Sequence, residues 1–314
     1  DQGLAFTKRI RFIFGTDEET LWRCMNRYNQ IEEKADLGFA PDSSFPLTYA
    51  EKGLLQVKLH GPGWEDRPLQ AGRALNVVPD KATYKGERLE ELLPVIEQSG
   101  VNYTEETGAV TVLGLSKHSK DAAEGVNAIV GLAESLSLIQ PHPALLFIAD
   151  DVGEDATGAA LFGEIKDEPS GALSFNIATL SIDEEQSEIG IDIRIPVLAD
   201  KGALVERLTE VAASYQLQYE EFDYVAPLYV PLDSPLVSTL MEVYQEETGD
   251  QTPAMSSGGA TFARTMENCV AYGALFPDAL QTEHQANERA KLDDLYRAME
   301  IYAETIRRLA GKEV

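Results

Sequence analysis

The sequence predicts an α/β protein in which both chain ends supply one α/β domain and an α+β domain of ferredoxin-like type is inserted between them. Three observations predict it. Short apolar runs alternate with amphipathic helical stretches at both ends, the signature of an α/β layer. The middle carries long period-two strands in adjacent pairs, as antiparallel sheets do. The character changes near Gly53 and reverts after Pro231, which divides the chain at 1–51, 52–225 and 226–314. With 314 residues, 44% of them hydrophobic, the chain has enough apolar surface for one large or two ordinary domains.

Taken in order, residues 9–14 (RIRFIF) have a short apolar strand pattern. Thr16 followed three residues later by Glu19 fits a helix capping box, and TLWRCMNRYNQ places Leu21, Cys24, Met25 and Tyr28 on one helical face. Residues 37–40 form a second short strand that runs into PDSSFP. LLQVKLHG is a strand. KGERLEELLPVIEQSG is a helix that must accommodate Pro94 as a kink or early-turn residue. VNYTEETGAVTVLG is a hairpin around Gly108, and residues 121–138 read as one helix. ALSFNIATLSID and EIGIDIRIP are the clearest strands. In the second, Ile189, Ile191, Ile193 and Ile195 alternate with Gly, Asp and Arg, and the acidic turn DEEQ joins the two. Residues 200–215 are helical, LQYEEFDYVAPLYV is extended, and residues 235–247 are helical. TPAMSSGGATFAR is a small-residue loop entering a helix, and residues 287–309 form a long amphipathic helix. His142, in PHP, reads as a surface turn, and His60 belongs to no motif.

Charge narrows the function. The net charge is -27, from 53 acidic against 26 basic residues. That excess repels nucleic acid and anionic membranes, since phosphate binding needs clustered Lys and Arg, and it can gather cations. Cys24 and Cys269 are too few for a disulfide framework or a cysteine zinc cage, so a reducing cytoplasm is the expected compartment. There is no signal-peptide pattern and no apolar run of membrane length.

Four stretches carry candidate chemistry: GTDEET (15–20), FAPDSSFP (39–46), SSGGATFAR (256–264) and TEHQANE (282–288). Adjacent carboxylates at Glu18 and Glu19 repel one another unless a cation offsets them; a solvated helix start is the plainer alternative. Asp42 after a proline is a turn residue or a ligand, and His284 is a cap or a ligand. SSGGATFAR lacks the lysine of a P-loop and the spacing of a dinucleotide motif.

Together, in this order, the four stretches resemble the cocatalytic zinc peptidases that include aminoacylases, carboxypeptidases and desuccinylases. The PepV-like dipeptidases, acting on Xaa-His or β-Ala dipeptides, are the nearest group. The resemblance runs from end to end. It implies a zinc-exopeptidase-type α/β catalytic domain with an inserted lid. Glu18 would be the general base that takes a proton from a metal-bridging water. Glu19 and His284 would bind one zinc and Asp42 the other, with manganese or cobalt as alternatives. In the lid, His118 in LGLSKHSK would stabilise the oxyanion. Asn76 in RALNVVPDKA would bind substrate, and Arg194 in IDIRIP would grip its carboxylate. Gly259 and Arg264 would line the pocket, although Arg264 could equally cap its helix. The expected substrate is a small unblocked dipeptide and the expected state a monomer. The alternatives are an N-acyl amino acid deacylase or a catalytically dead binding relative. The family also carries an upstream HxD segment and a metal-bridging Asp, which these 314 residues do not contain. The catalytic domain is therefore expected to be incomplete at its N-terminus, and this chain alone to hydrolyse nothing.

Overall fold

The computed structural model describes residues 5–18, 22–280, 282 and 287–311. The chain is mixed α/β and divides into two compact units, 1–52 with 227–314, and 53–226.

The 53–226 unit is built on an antiparallel sheet. Strand Gly53–Pro62 alternates buried and half-buried residues from Gly53 to His60. Leu55, Val57 and Leu59 face inward opposite Ile193, Ile191 and Ile189 of strand Gln186–Ile195. That strand pairs on its other edge with Ser174–Ile182, and Gln218–Val225 pairs with Gly53–Pro62. Numbered along the chain, these four strands lie in the order 4-1-3-2, the ferredoxin-like arrangement of two βαβ halves. Leu69–Ala71 adds an edge strand beside Ser174–Ile182. Helices Ala128–Ser137 and Lys201–Ser214 bring Leu132, Leu136, Leu204 and Leu208 into the same core. A smaller sheet comprises Lys81–Tyr84, Ala109–Leu113 and Tyr103–Glu106, the last two joined through Gly108 at φ +77°.

Helix Leu89–Ser99 carries Pro94 within it, as expected. The helix expected over 121–138 is in fact two. A 3-10 turn, Ser119–Glu124, ends at Gly125, and Asn127 then caps Ala128–Ser137 with its side chain. An asparagine before an apolar run starts a new helix, because its carbonyl oxygen accepts from the orphan N–H groups of the first turn.

In the 1–52 and 227–314 unit, a sheet runs Gly38–Ala40, Cys269–Ala271, Thr48–Glu51, Leu228–Tyr229, with Met255–Ser257 also beside Thr48–Glu51. Gly38–Ala40 and Cys269–Ala271 are parallel. Helices Pro235–Thr248 and Leu292–Ala310 pack together, and Phe45, Tyr244, Tyr272 and Tyr302 form an aromatic cluster beside the sheet. Three expectations are corrected here. Residues 9–14 are not a strand: Phe12 and Phe14 are 72% and 88% exposed, and no strand pairs with them among the described residues. The helix expected to open at Thr16 opens instead at Arg23, and Glu19, the other half of the expected capping box, lies outside the described residues. Helix Arg23–Ile31 has Trp22 at its N-cap with no side-chain cap, and the Asp17 carboxylate instead accepts from the Arg23 and Cys24 N–H groups at 2.8 and 3.1 Å. SSGGATFAR enters only a short 3-10 turn, Phe262–Thr265.

Candidate functional site

The predicted residues fall into two sets, one in each unit. In the first, Glu18 is half-buried, and its backbone carbonyl accepts from the Trp22 indole N–H. Beside it Asp17 is pulled down to about 2, first by the Cys24 thiol and then by the two helix N–H groups. Asp42 is exposed at the end of strand Gly38–Ala40, the position where open α/β sheets present ligand groups. Glu19 and His284 lie outside the described residues. Carboxylate oxygen and neutral imidazole are ordinary zinc donors. Among the described residues, however, no group of three His, Cys, Asp or Glu could hold a metal ion, and Asp42 is the one predicted ligand with a described position.

Arg264 sits behind this surface. Its side chain is 1% exposed, as is that of Glu51, and Nε lies 3.0 Å from the Glu51 carboxylate. Its terminal nitrogen donates to the carbonyls of Lys52 and Gly259 at 3.1 and 2.7 Å. Thr261 adds its N–H and hydroxyl to Glu51 at 3.1 and 2.8 Å. Burial pushes the Glu51 carboxyl up, and Arg264 is the largest influence opposing it. Arg264 thus fixes the Gly259 loop from inside. Glu51 carries no motif and was missed in the sequence.

The second set converges. Asn76, His118 and Arg194 come from three separated segments, and the 53–226 unit brings them to one end of its sheet. The segment carrying Asn76 leaves strand Leu69–Ala71 through Gly72 at φ +78°, where a Cβ would lie 2.0 Å from the Ala178 carbonyl oxygen. Only glycine fits that close, left-handed turn. Val77 then bridges to His118, and the Ser119 N–H donates to the Asn76 carbonyl at 2.9 Å. Asn176, buried on strand Ser174–Ile182, donates to the Val77 carbonyl at 3.0 Å and the Ser119 hydroxyl at 2.8 Å. Asn127 braces Asn176 at 3.1 Å. Asn176, Ser119 and Asn127 therefore hold both loops against the sheet.

The Lys120 N–H donates to His118 Nδ1 at 3.1 Å. An acceptor Nδ1 places the proton of the neutral ring on Nε2, which becomes a donor. Desolvation lowers the His118 pKa, and the positive charges of Arg194 and Lys120 lower it further, so the neutral form dominates at neutral pH. Arg194 is held by Asp192 two residues earlier on the same strand face. Nε lies 2.7 Å from Oδ1 and a terminal nitrogen 3.1 Å from Oδ2. Asp192 was also missed, although an Asp and an Arg two apart in an isoleucine strand share a face and signal a pair.

His142 is not a surface turn. It is 4% exposed, its Nδ1 accepts from the Ala144 N–H at 3.2 Å to cap Pro143–Leu146, and its ring meets Trp64 edge-on.

Comparison with known proteins adds lineage to this geometry. The description "Peptidase family M20/M25/M40" matches residues 1–308. A Bacillus subtilis protein named "Putative dipeptidase YtjP" is 35% identical over 99% of this chain and 71% of its own length. A Staphylococcus aureus relative, "Putative dipeptidase MW1694", is 32% identical over all of this chain and 72% of its own length. Among solved structures, the aminoacylhistidine dipeptidase of Vibrio alginolyticus shares the fold with a TM-score of 0.50 at 12% identity, over 90% of this chain and 67% of that one.

Proposed function

The chain belongs to peptidase family M20/M25/M40, and from that premise we propose that it serves metal-dependent hydrolysis of the peptide bond of small unblocked dipeptides. The observation that carries this reading is the convergence of Asn76, Arg194 and a His118 ring whose donor is Nε2–H. Arg194 would take the substrate carboxylate, for which a planar guanidinium is matched. Asn76 would hydrogen-bond the peptide. His118 Nε2–H would donate to the oxygen that gains charge as the scissile carbonyl becomes tetrahedral. Glu18 would accept a proton from the attacking water and pass it to the leaving amine. The Gly259 loop, backed by Arg264, would border the substrate. Glu19, Asp42 and His284 would hold two zinc ions, or manganese or cobalt, whose contribution when bound is to acidify water and polarise the carbonyl. The activity is proposed for a protein carrying the full ligand set, acting as a monomer in the cytoplasm. Among the described residues no helix is long and apolar enough to cross a membrane.

His118→Ala tests the reading. Loss of one oxyanion donor should lower kcat by about 100- to 1000-fold with KM little changed. An unaltered kcat would remove His118 from the chemistry. A second reading is favoured by the same geometry. An N-acyl amino acid presents the same carboxylate to Arg194 and the same amide to His118, so a deacylase would use these residues equally well.

A further inference from the structure

Arg194 lies in the stretch 189–195 of its strand, every residue of which is buried, and it does not stand there alone. The Asp192 side chain is fully buried and that of Arg194 is 6% exposed. Register places Gln56 opposite Asp192 on strand Gly53–Pro62, and its amide donates to Asp192 Oδ2 at 3.0 Å. On the other neighbour, Asn176 stands opposite Asp192 and Ser174 opposite Arg194. Ser174 donates to the Ser119 carbonyl, next to His118. The carboxylate therefore contacts the guanidinium through both oxygens and is itself anchored by Gln56. The direction of the Arg194 fork is fixed by a group that lies too deep to meet substrate.

We propose that Asp192 is a positioning residue, which with Gln56 holds the Arg194 guanidinium at the angle needed to receive the carboxylate of the substrate. The inference rests on the dipeptide reading above and deepens it. A buried arginine deprived of its bidentate partner keeps its charge, but its long side chain gains rotamers and its orientation is lost. The penalty falls on binding of a carboxylate, not on the chemistry at the peptide bond.

The experiment compares, in the protein carrying the full metal-ligand set, the wild type, Asp192→Asn, Gln56→Ala, Arg194→Ala and the double variant Asp192→Asn with Arg194→Ala. For a dipeptide with a free carboxyl, Asp192→Asn should raise KM by about 10- to 100-fold, the value of a hydrogen bond to a charged group, while kcat stays within about twofold. Gln56→Ala, which leaves both charges in place and is the milder change for folding, should shift KM in the same direction by a smaller factor. In the Arg194→Ala background, Asp192→Asn should add no further rise in KM, because its effect passes through Arg194. An additive rise, or a fall in kcat with KM unchanged, would overturn the positioning role. A readout independent of turnover separates this proposal from the function beneath it. The Arg194 Nε–H resonance should be sharp in the wild type and broadened or displaced in Asp192→Asn. An unchanged resonance defeats the positioning claim. A changed resonance in a protein that carries the full metal-ligand set yet hydrolyses no dipeptide supports positioning and defeats the dipeptidase reading alone.

Discussion

Replacing Arg264 by methionine gives the sharpest test of the buried chemistry. The substitution keeps much of the side-chain volume and removes the charge. Glu51 would lose its 3.0 Å contact with the guanidinium and keep only the Thr261 N–H and hydroxyl. The Lys52 and Gly259 carbonyls would lose their donor. Both acidic and basic side chains are 1% exposed, so water cannot screen the loss. Breaking a buried pair by removing one partner costs about 3–5 kcal/mol. The cost should depend on pH. The folded-state pKa of Glu51 is already raised by burial, and removal of its main opposing charge raises it further. A carboxyl raised in the folded state contributes stability that is fully present below its unfolded pKa. That stability is lost as the pH rises through the folded pKa. The deficit of Arg264→Met relative to wild type should therefore be full at about pH 8 and smaller at about pH 5, where the folded variant takes up a proton on Glu51. Urea unfolding of both proteins at the two pH values measures it. An equal deficit at both, or one below about 1 kcal/mol, would refute the buried ion pair.

Other consequences can be measured directly. His142 has its pKa lowered by burial, so its contribution to stability is present above the ordinary histidine range and is lost as the pH falls through the folded-state pKa; His142→Gln should flatten that acid-side loss in a pH series of unfolding curves. Gly72→Ala forces a Cβ against the Ala178 carbonyl at positive φ and should cost at least about 1–3 kcal/mol in chemical unfolding, with a rise in KM because the Asn76 loop starts there. Glu18→Ala should abolish turnover with metal content unchanged, whereas Glu19→Ala should lose metal; elemental analysis of the two purified variants reverses the assigned roles if the losses are exchanged.

The parts of the fold legible in the sequence are those set by local periodicity. Ile189 to Ile195 alternated with polar residues, and the strand there pairs on both edges in the register that buries its isoleucines. Gly108 marked a hairpin, and Pro94 was tolerated inside its helix. The pattern at 9–14 misled because alternation describes a face, whereas a strand also needs a hydrogen-bonding neighbour, and that is a tertiary fact. Asn127 did hold a readable signal, an N-cap before an apolar run, that the single long helix overrode. In the site, Asn76, His118 and Arg194 were named from short motifs, but what orients them is spread across the chain. Asn176 and Glu51 act through contacts with residues dozens to hundreds of positions away, as does Asp192 through Gln56, and no local spacing encodes such contacts; only the Asp192 contact with Arg194 lay in a readable two-residue spacing. His142 read as exposed because Pro-His-Pro suggests a turn; its burial comes from Trp64 and the Pro62 carbonyl, nearly eighty residues earlier.

The most direct test of the account is the initial rate of the protein carrying the full metal-ligand set, in the presence of zinc, manganese or cobalt, on three matched compounds: an unblocked dipeptide, the same dipeptide acetylated on its amine, and the same dipeptide amidated at its carboxyl. Cleavage of the unblocked compound, with the amidated one refused because Arg194 has no carboxylate to hold, is the predicted result. Faster cleavage of an acetylated compound, or equal rates on the free and amidated forms, would contradict it.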